Sequence, residues 1–424
     1  MTMLDLDQEP NQRTHHVLRA MAEVSTETIL VTKVRTLDRS LRAFASNALR
    51  WSIAERQEGA VRILRLHPFL NYAQAMAAGL VQGQMLQPSP WYRRAFAVVL
   101  SLCGIARDIF LIPAFVGAVL FRTRGNFDVC VVDNPWTGAA ALLLRALKRV
   151  RNVVYDDMDY VAGGQMLRVR QLYVAMLERM AIRRADLVVS AGWLLGAHRR
   201  KTTGRDVLVI PNGVDPQRFA PPHKRGAHPP TLVYVGNLAH YAGVDLAIEA
   251  LPLIHRTVAD ARLLVVGDGD APYCDGLRRL AEARGVNTSV EFRGRIPYDA
   301  VPAVLAESDI GLATFRDTPL GAFAFPLKVI EYFAAGLPVL CTRGSEGEEI
   351  LRRHPAGRAV TFTATDFAAA AIAFLTEPEA YQRAREIALE AARLFTWQSA
   401  MQREREAILR LVTNGHSRIT EKVV

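Results

Sequence analysis

FPLKVIEYFAAGLPVLCT, residues 325–342, decides the fold, because one short run holds a helix start, a helix stop and a buried strand. Pro326 suits the first helical turn, where no backbone donor is needed. Val329-Ile330, Tyr332-Phe333 and Ala334-Ala335 carry the helix to Gly336, which can end it, and Pro338 opens the apolar run VLCT. A helix start presents unpaired N–H groups and a partial positive charge, a combination that favours phosphate. Lys328 lies in that first turn against the helix dipole, and a diphosphate would supply the reason for it. Glu331, one turn further on the same face, can accept two hydroxyl hydrogen bonds of the kind a ribose offers. A surface Lys–Glu pair at i,i+3, worth about 0.2–0.5 kcal/mol, is the competing explanation.

Outward from this block the same alternation repeats. TLVYVGN (231–237), ARLLVVGDG (261–269), VEFRGR (290–295) and DIGLATF (309–315) read as buried strands separated by helical segments. In the first half TILVTKV (28–34), FDVCVVD (127–133), NVVYD (152–156) and DLVVSA (186–191) do the same. Buried strands interleaved with helices predict parallel sheets covered on both faces. Between the halves, PNGVDPQRFAPPHKRGAHPP (211–230) is rich in Pro and Gly and reads as a linker. FTWQSAMQREREAILRLV (395–412) is amphipathic and predicts a helix that packs back on the first half. The predicted class is therefore α/β: two doubly wound Rossmann-like domains facing across a cleft, where the strand carboxyl ends bind ligands. The expected bounds are a disordered leader over 1–24, an N-terminal Rossmann-like domain over 25–210, the linker over 211–230, a C-terminal Rossmann-like domain over 231–394, and the returning helix over 395–424.

The chain has 424 residues, 50% hydrophobic and 22% charged, which excludes a disordered chain, a fibrous repeat and a disulfide scaffold. A net charge of +10 suits a polyanion, an anionic membrane surface or phosphorylated substrates. Cys103, Cys130, Cys274 and Cys341 sit in apolar surroundings without a CxxC pair, as buried thiols in a reducing compartment do. The start, MTMLDLDQEPNQRTHH, has acids where a signal peptide needs bases, and reads as a cytoplasmic leader. AFAVVLSLCGIARDIFLIPAFVGAVLF (95–121) is almost wholly apolar, but Arg107-Asp108 and Pro113 interrupt it. Buried core helices and an in-plane membrane-docking segment are the two leading readings of it, ahead of a transmembrane span.

A second block, NVVYDDMDYVAGG (152–164), runs a buried strand into Asp156, Asp157 and Asp159 at its carboxyl end. Crowded carboxylates raise one another's pKa, so one of them suits a general base. A solvated acidic loop or helix cap competes. Asp157-Met158-Asp159 and Asp268-Gly269-Asp270 also have a DxD spacing that could hold a divalent cation, but turns at strand ends favour Asp and Gly anyway. No metal is expected.

These blocks together resemble the signature of GT-B glycosyltransferases, which transfer sugars from nucleotide donors. VIPNGVDPQRF (209–219) is similar to the segment that ends the family's N-terminal domain, and YVGNLAHYAGVD (234–245) to the glycine loop that opens the second. The resemblance implies that Glu331 holds the donor ribose, that backbone around Gly236 and Gly243 approaches the diphosphate, and that the backbone near Arg295 closes the base pocket. Three departures follow. The first acid of the family's paired-acid motif falls on Phe323, the loop's usual Arg and Lys are replaced by Asn237 and Ala242, and Met158 stands where many relatives have His. Lys328 is then the main cation, as in a subset typified by glucuronosyltransferases of exopolysaccharide assembly, in which an Asp matching Asp159 is the proposed base. The resemblance thus puts Asp159 first as base and Asp157 second, and makes 25–210 the acceptor-binding domain and 231–394 the nucleotide-sugar-binding one.

The implied function is transfer of a sugar from a nucleoside-diphosphate sugar, UDP ahead of GDP, to a lipid-linked or polysaccharide acceptor in exopolysaccharide or cell-envelope glycan synthesis. The implied place is the cytoplasmic face of the plasma membrane, peripherally bound. The residues themselves do not tell uracil from guanine. A true base at Asp159 implies inversion, and a phosphate-assisted departure allows retention. No cofactor beyond the donor substrate and no nucleic acid partner is expected. A catalytically inactive nucleotide-sugar or membrane-binding protein of the same fold is the alternative.

Overall fold

A computed structural model of the chain describes residues 13–33, 52–67, 91–164, 168–219, 228–269 and 271–420. Two compact units result: one comprises residues up to Ala191 with Leu195–Ile210 and the segment from Met401, the other Gly192–Leu194 with Pro211–Ala400.

In the first unit the elements run α1 (Arg13–Ala22), β1 (Thr28–Lys33), β2 (Ser52–Glu58), β3 (Val61–His67), α2 (Trp91–Arg122), β4 (Phe127–Val132), α3 (Pro135–Ala146), β5 (Val150–Asp157), α4 (Arg168–Arg184), β6 (Leu187–Ser190), α5 (Trp193–Thr203) and β7 (Leu208–Val209). β4-β5-β6-β7 form a parallel sheet of consecutive crossovers. The predicted strand over 28–34 does not extend it. β1 pairs with β3 in a separate sheet of order β1-β3-β2, whose β2–β3 hairpin sequence reading did not register. β2 (SIAERQE) is mostly exposed and carries three charges, which blunts an open sheet edge and hides the strand from any search for apolar runs. A cavity of about 420 Å³ lies beside β1 and β4, lined mainly by apolar side chains such as Val17, Leu30, Val129 and Ile408.

The expectation of a disordered leader over 1–24 is corrected over Arg13–Ala22 by α1, and 1–12 lie outside the described residues. Arg13 is buried, and its Nε donates to Asp156 Oδ1 at 2.8 Å, its Nη1 to the Ile210 carbonyl at 2.8 Å and its Nη2 to Glu404 Oε2 at 2.5 Å. Burial pushes the Asp156 and Glu404 carboxyls up, and the guanidinium between them opposes that shift. Removing one member of a buried ion network leaves charges without partners. Arg13→Met is therefore expected to destabilise the fold by about 3–5 kcal/mol, read as a shifted urea midpoint by circular dichroism.

The apolar stretch over 95–121 falls within the single helix α2, which runs through Pro113. Leu111, Phe115 and Ala118 pack into the core with Trp136 and Ala140 of α3 and Val174 and Ala181 of α4, so these three helices cover the same sheet. Its central charge is accounted for: buried Asp108 accepts from Arg170 Nη2 of α4 at 2.7 Å. Among the described residues no helix is long and apolar enough to cross a membrane. Cys341 is buried, and Cys130 and Cys274 are partly so.

The second unit holds β8 (Thr231–Val235), α6 (Asp245–His255), β9 (Arg262–Val266), α7 (Ala271–Ala283), β10 (Val290–Gly294), α8 (Val301–Ala306), β11 (Ile310–Ala313), α9 (Pro319–Phe323), α10 (Leu327–Ala334), β12 (Val339–Thr342), α11 (Glu346–Arg353), β13 (Gly357–Val360), α12 (Ala364–Thr376) and α13 (Pro378–Ala392). All its strands are parallel, in the order β10-β9-β8-β11-β12-β13. That is a doubly wound sheet whose order reverses between β8 and β11, and such switch points are where these sheets take ligands. α14 (Trp397–Thr420) closes the chain and contributes Glu404 and Ile408 to the first unit. Of the expected linker, Val214 bridges to Thr396 and Phe219 is buried, while 220–227 lie outside the described residues.

Candidate active site

At the carboxyl end of β8 the backbone turns at Gly236 with φ 147°. A Cβ there would stand 2.8 Å from Lys328 Nζ, so the end of the lysine lies directly against this glycine. Lys328, the second residue of α10, lays its ammonium 3.7 Å from the centroid of Tyr234 and 5.7 Å from that of Phe315, which follows β11. These are the two strands that flank the switch point. Among the described residues Lys328 has no carboxylate within ion-pair distance. Burial pushes its pKa down to about 7, and Glu331 opposes the shift. An ammonium held against aromatic faces, beside glycine backbone and a helix start, lacks an anion.

Glu331 is 8% exposed and accepts a hydrogen bond from the Tyr298 hydroxyl at 2.8 Å on Oε1. Burial raises its carboxyl, and Tyr298 and Lys328 oppose the rise. Oε2 has no partner among the described residues. Tyr298 was missed in the sequence because nothing marks a tyrosine of the loop after β10 as facing an acid more than thirty positions on. Asn237 is exposed, and its carbonyl accepts from the Tyr234 hydroxyl at 2.9 Å. Gly243 ends a short 3-10 turn in the left-handed region, at φ 61°. Arg295 follows β10 directly and is exposed.

Arg316 is a second residue missed. Its backbone N–H donates to Tyr241 O at 2.9 Å and its Nε to His240 O at 3.1 Å, which brings a guanidinium to the glycine loop. Asp245 neutralises it through a close ion pair. It therefore does not replace the loop cations that Asn237 and Ala242 lack. Glu346, also unforeseen, is buried and accepts from the Leu194 N–H at 2.9 Å and from the Trp193 N–H, with burial pushing its pKa up to about 7.

The acidic block of the first unit divides by strand pleat. Asp156 turns to Arg13, as described. Asp157, on the opposite face, is 1% exposed and takes Arg199 Nε on Oδ2 at 2.8 Å and Nη2 on Oδ1 at 3.0 Å. Both its oxygens are committed to a guanidinium, so the reading of Asp157 as second base is corrected: it is a member of a buried ion network. Arg199 Nη1 also reaches Glu178 Oε2 at 3.0 Å, and Glu178 Oε1 accepts from the Ala162 N–H at 3.2 Å. One guanidinium thus anchors the residues before and after the Asp159 loop. Asp159 itself is exposed, and its carboxylate has no ion-pair partner among the described residues. The surrounding protein and then the Asp157 charge raise its pKa. Among the described residues no three His, Cys, Asp or Glu side chains gather as a metal set, and Asp270 lies outside the described residues.

Residues 229–377 match the profile of the family described as Glycosyl transferases group 1. Over 273 residues the chain is 30% identical to the GDP-mannose-dependent alpha-(1-6)-phosphatidylinositol monomannoside mannosyltransferase of Mycolicibacterium smegmatis, across 59% of this chain and 68% of that enzyme. Among solved structures, sucrose-phosphate synthase from Thermosynechococcus elongatus aligns with a TM-score of 0.68 at 17% identity, covering 95% of this chain and 93% of that one. HepE from Anabaena, solved with UDP and glucose, aligns with a TM-score of 0.64 at 15% identity over 96% of this chain and 98% of that one. The two structures carry the fold, GT-B. With the sequence match and the mycobacterial relative, the chain belongs to the group 1 glycosyltransferases.

Proposed function

We propose that this glycosyltransferase moves a sugar from a nucleoside-diphosphate sugar to a hydroxyl of a lipid-linked glycan acceptor, working from the cytoplasmic face of a membrane. The observation that carries the donor part is the unpaired ammonium of Lys328, set beside Gly236 at the sheet's switch point. In this reading Asp159 takes the proton of the acceptor hydroxyl as its oxygen bonds to the anomeric carbon. The bond from that carbon to the diphosphate oxygen breaks, and Lys328 with the start of α10 meets the charge that develops on the leaving group. Glu331 holds the ribose through Oε2, and no metal takes part. The lipid-linked acceptor is supported by the mycobacterial relative, whose name gives it a phosphatidylinositol monomannoside. An envelope or exopolysaccharide setting rests on the motif resemblance alone. UDP stands ahead on the same resemblance, and the relative's GDP-mannose is its competitor.

A thermal-shift panel of UDP, GDP and their sugars, each with and without EDTA, tests the reading. A ligand at 100 times its Kd is expected to stabilise the protein by about 2.7 kcal/mol, for one base and with no effect of EDTA. A panel in which nothing stabilises overturns the donor site, and a shift abolished by EDTA overturns the metal-free mechanism. The anomeric configuration of the product, read by NMR, separates direct base-led displacement from phosphate-assisted departure.

A further inference from the structure

We propose that the outer surface of α2, α3 and α4 docks in plane on an anionic phospholipid bilayer, a surface that rests on the membrane-face reading above. The three helices lie side by side on one face of the β4–β7 sheet and bury their inner sides in a common core. Their outward sides therefore share one surface. Large apolar side chains stand on it in solvent: Ile109, Phe110 and Phe121 of α2, Leu143 of α3, and Leu172 and Met176 of α4. On α4, Leu172 and Met176 are four residues apart and so form one stripe. Single exposed apolar residues need no explanation, but a shared patch of this kind marks an interaction surface.

Charge decides the partner. The three helices contain two acidic residues, Asp108 and Glu178, both buried in ion pairs with Arg170 and Arg199. Just beyond α4, Asp186 is paired with Arg145. The exposed charges are basic: Arg122 closes α2, Lys148 follows α3, and Arg168 and Arg179 flank the apolar stripe of α4. A protein partner of ordinary surface would not call for apolar side chains edged by one sign of charge. An interface of acyl chains under anionic headgroups calls for both. The apolar side chains stand along the outer sides of the helices, so the contact lies along the bilayer.

Sedimentation with vesicles tests this, using phosphatidylcholine alone and phosphatidylcholine with about one-third phosphatidylglycerol. The full chain is expected to sediment with the anionic vesicles and not with the neutral ones. Arg168→Gln with Arg179→Gln is expected to weaken that binding about 30-fold, as two surface cations should. Leu172→Glu with Met176→Glu should weaken it further, with an unchanged circular dichroism melt. Equal binding to both vesicles, or no effect of either double substitution, overturns the proposal. So does a result in which the apolar pair leaves vesicle binding intact and instead turns a dimer into a monomer by light scattering, since the occupant is then a second copy. Nucleoside-diphosphate thermal shifts on the same proteins keep the two readings apart. Shifts without vesicle binding remove this surface and leave the transfer reaction, while vesicle binding without shifts does the reverse.

Discussion

Asp159→Asn is expected to lower turnover by about 10²–10⁴-fold with nucleoside-diphosphate affinity unchanged, because an amide cannot accept the acceptor's proton. The loop around it is held by Arg199 through Asp157 on one side and through Glu178 and Ala162 on the other, so the substitution leaves its frame intact. Although the side chain meets solvent, the protein packed around it and then the Asp157 charge raise the carboxyl. Activity should accordingly climb with pH through a value above the ordinary carboxylate range, as the base form accumulates. The asparagine variant should lose that acid limb. Retained turnover with the limb still present would remove Asp159 as the base and leave the leaving diphosphate to take the proton.

The second large effect belongs to Lys328. Lys328→Met is expected to reduce turnover by about 10²–10³-fold, the size of loss seen when one preorganised donor to a developing charge is removed. Donor affinity should fall as well, because the ammonium also meets the ground-state diphosphate. Its pH dependence has a definite sign. With the free lysine depressed to about 7, the ammonium is already present below that pH and donor affinity stays level there. Above it, binding an anion draws a proton back onto the amine, so affinity should fall by up to about tenfold per pH unit until the raised pKa of the complex is reached. Calorimetry in buffers of different ionisation enthalpy reads the proton uptake directly. A methionine variant with the same pH profile as the parent would place the anion elsewhere.

The parallel sheets were legible because their strands are continuous apolar runs, and a strand buried on both faces needs no partner's help to be recognised. TLVYV, LLVV and VLCT carry that signal within themselves. β2 does not: its residues are mostly polar and exposed, and only pairing with β3 makes it a strand. α1 was misread for a similar reason, since the case for order in RTHHVLRAMA depends on Arg13 finding Asp156 and Glu404. Lys328 was legible because a basic residue in a first helical turn opposes the local dipole and so stands out. The fate of Asp157 was not, because neighbouring carboxylates look alike in sequence until the pleat sends one to Arg13 and the next to Arg199. Tyr298 and Arg316 belong to the same class of long-range partner.

The buried Arg13 network has a consequence for how the chain is made. Its partners are emitted far apart: the guanidinium comes at the start, Asp156 later, and Glu404 lies 391 positions from Arg13. The contiguous stretch Pro211–Ala400 is complete before that last carboxylate leaves the ribosome. At about 5–20 residues per second, the roughly 200 residues between Ile210 and Glu404 take about 10–40 s to synthesise. For that interval the earlier unit stands open, with Asp156 and Arg13 waiting for Glu404 and the apolar face under α14 bare, because the later unit is being made between them. Synthesis runs from the N-terminus, yet the unit that holds Arg13 is completed only by a segment made after the whole of Pro211–Ala400.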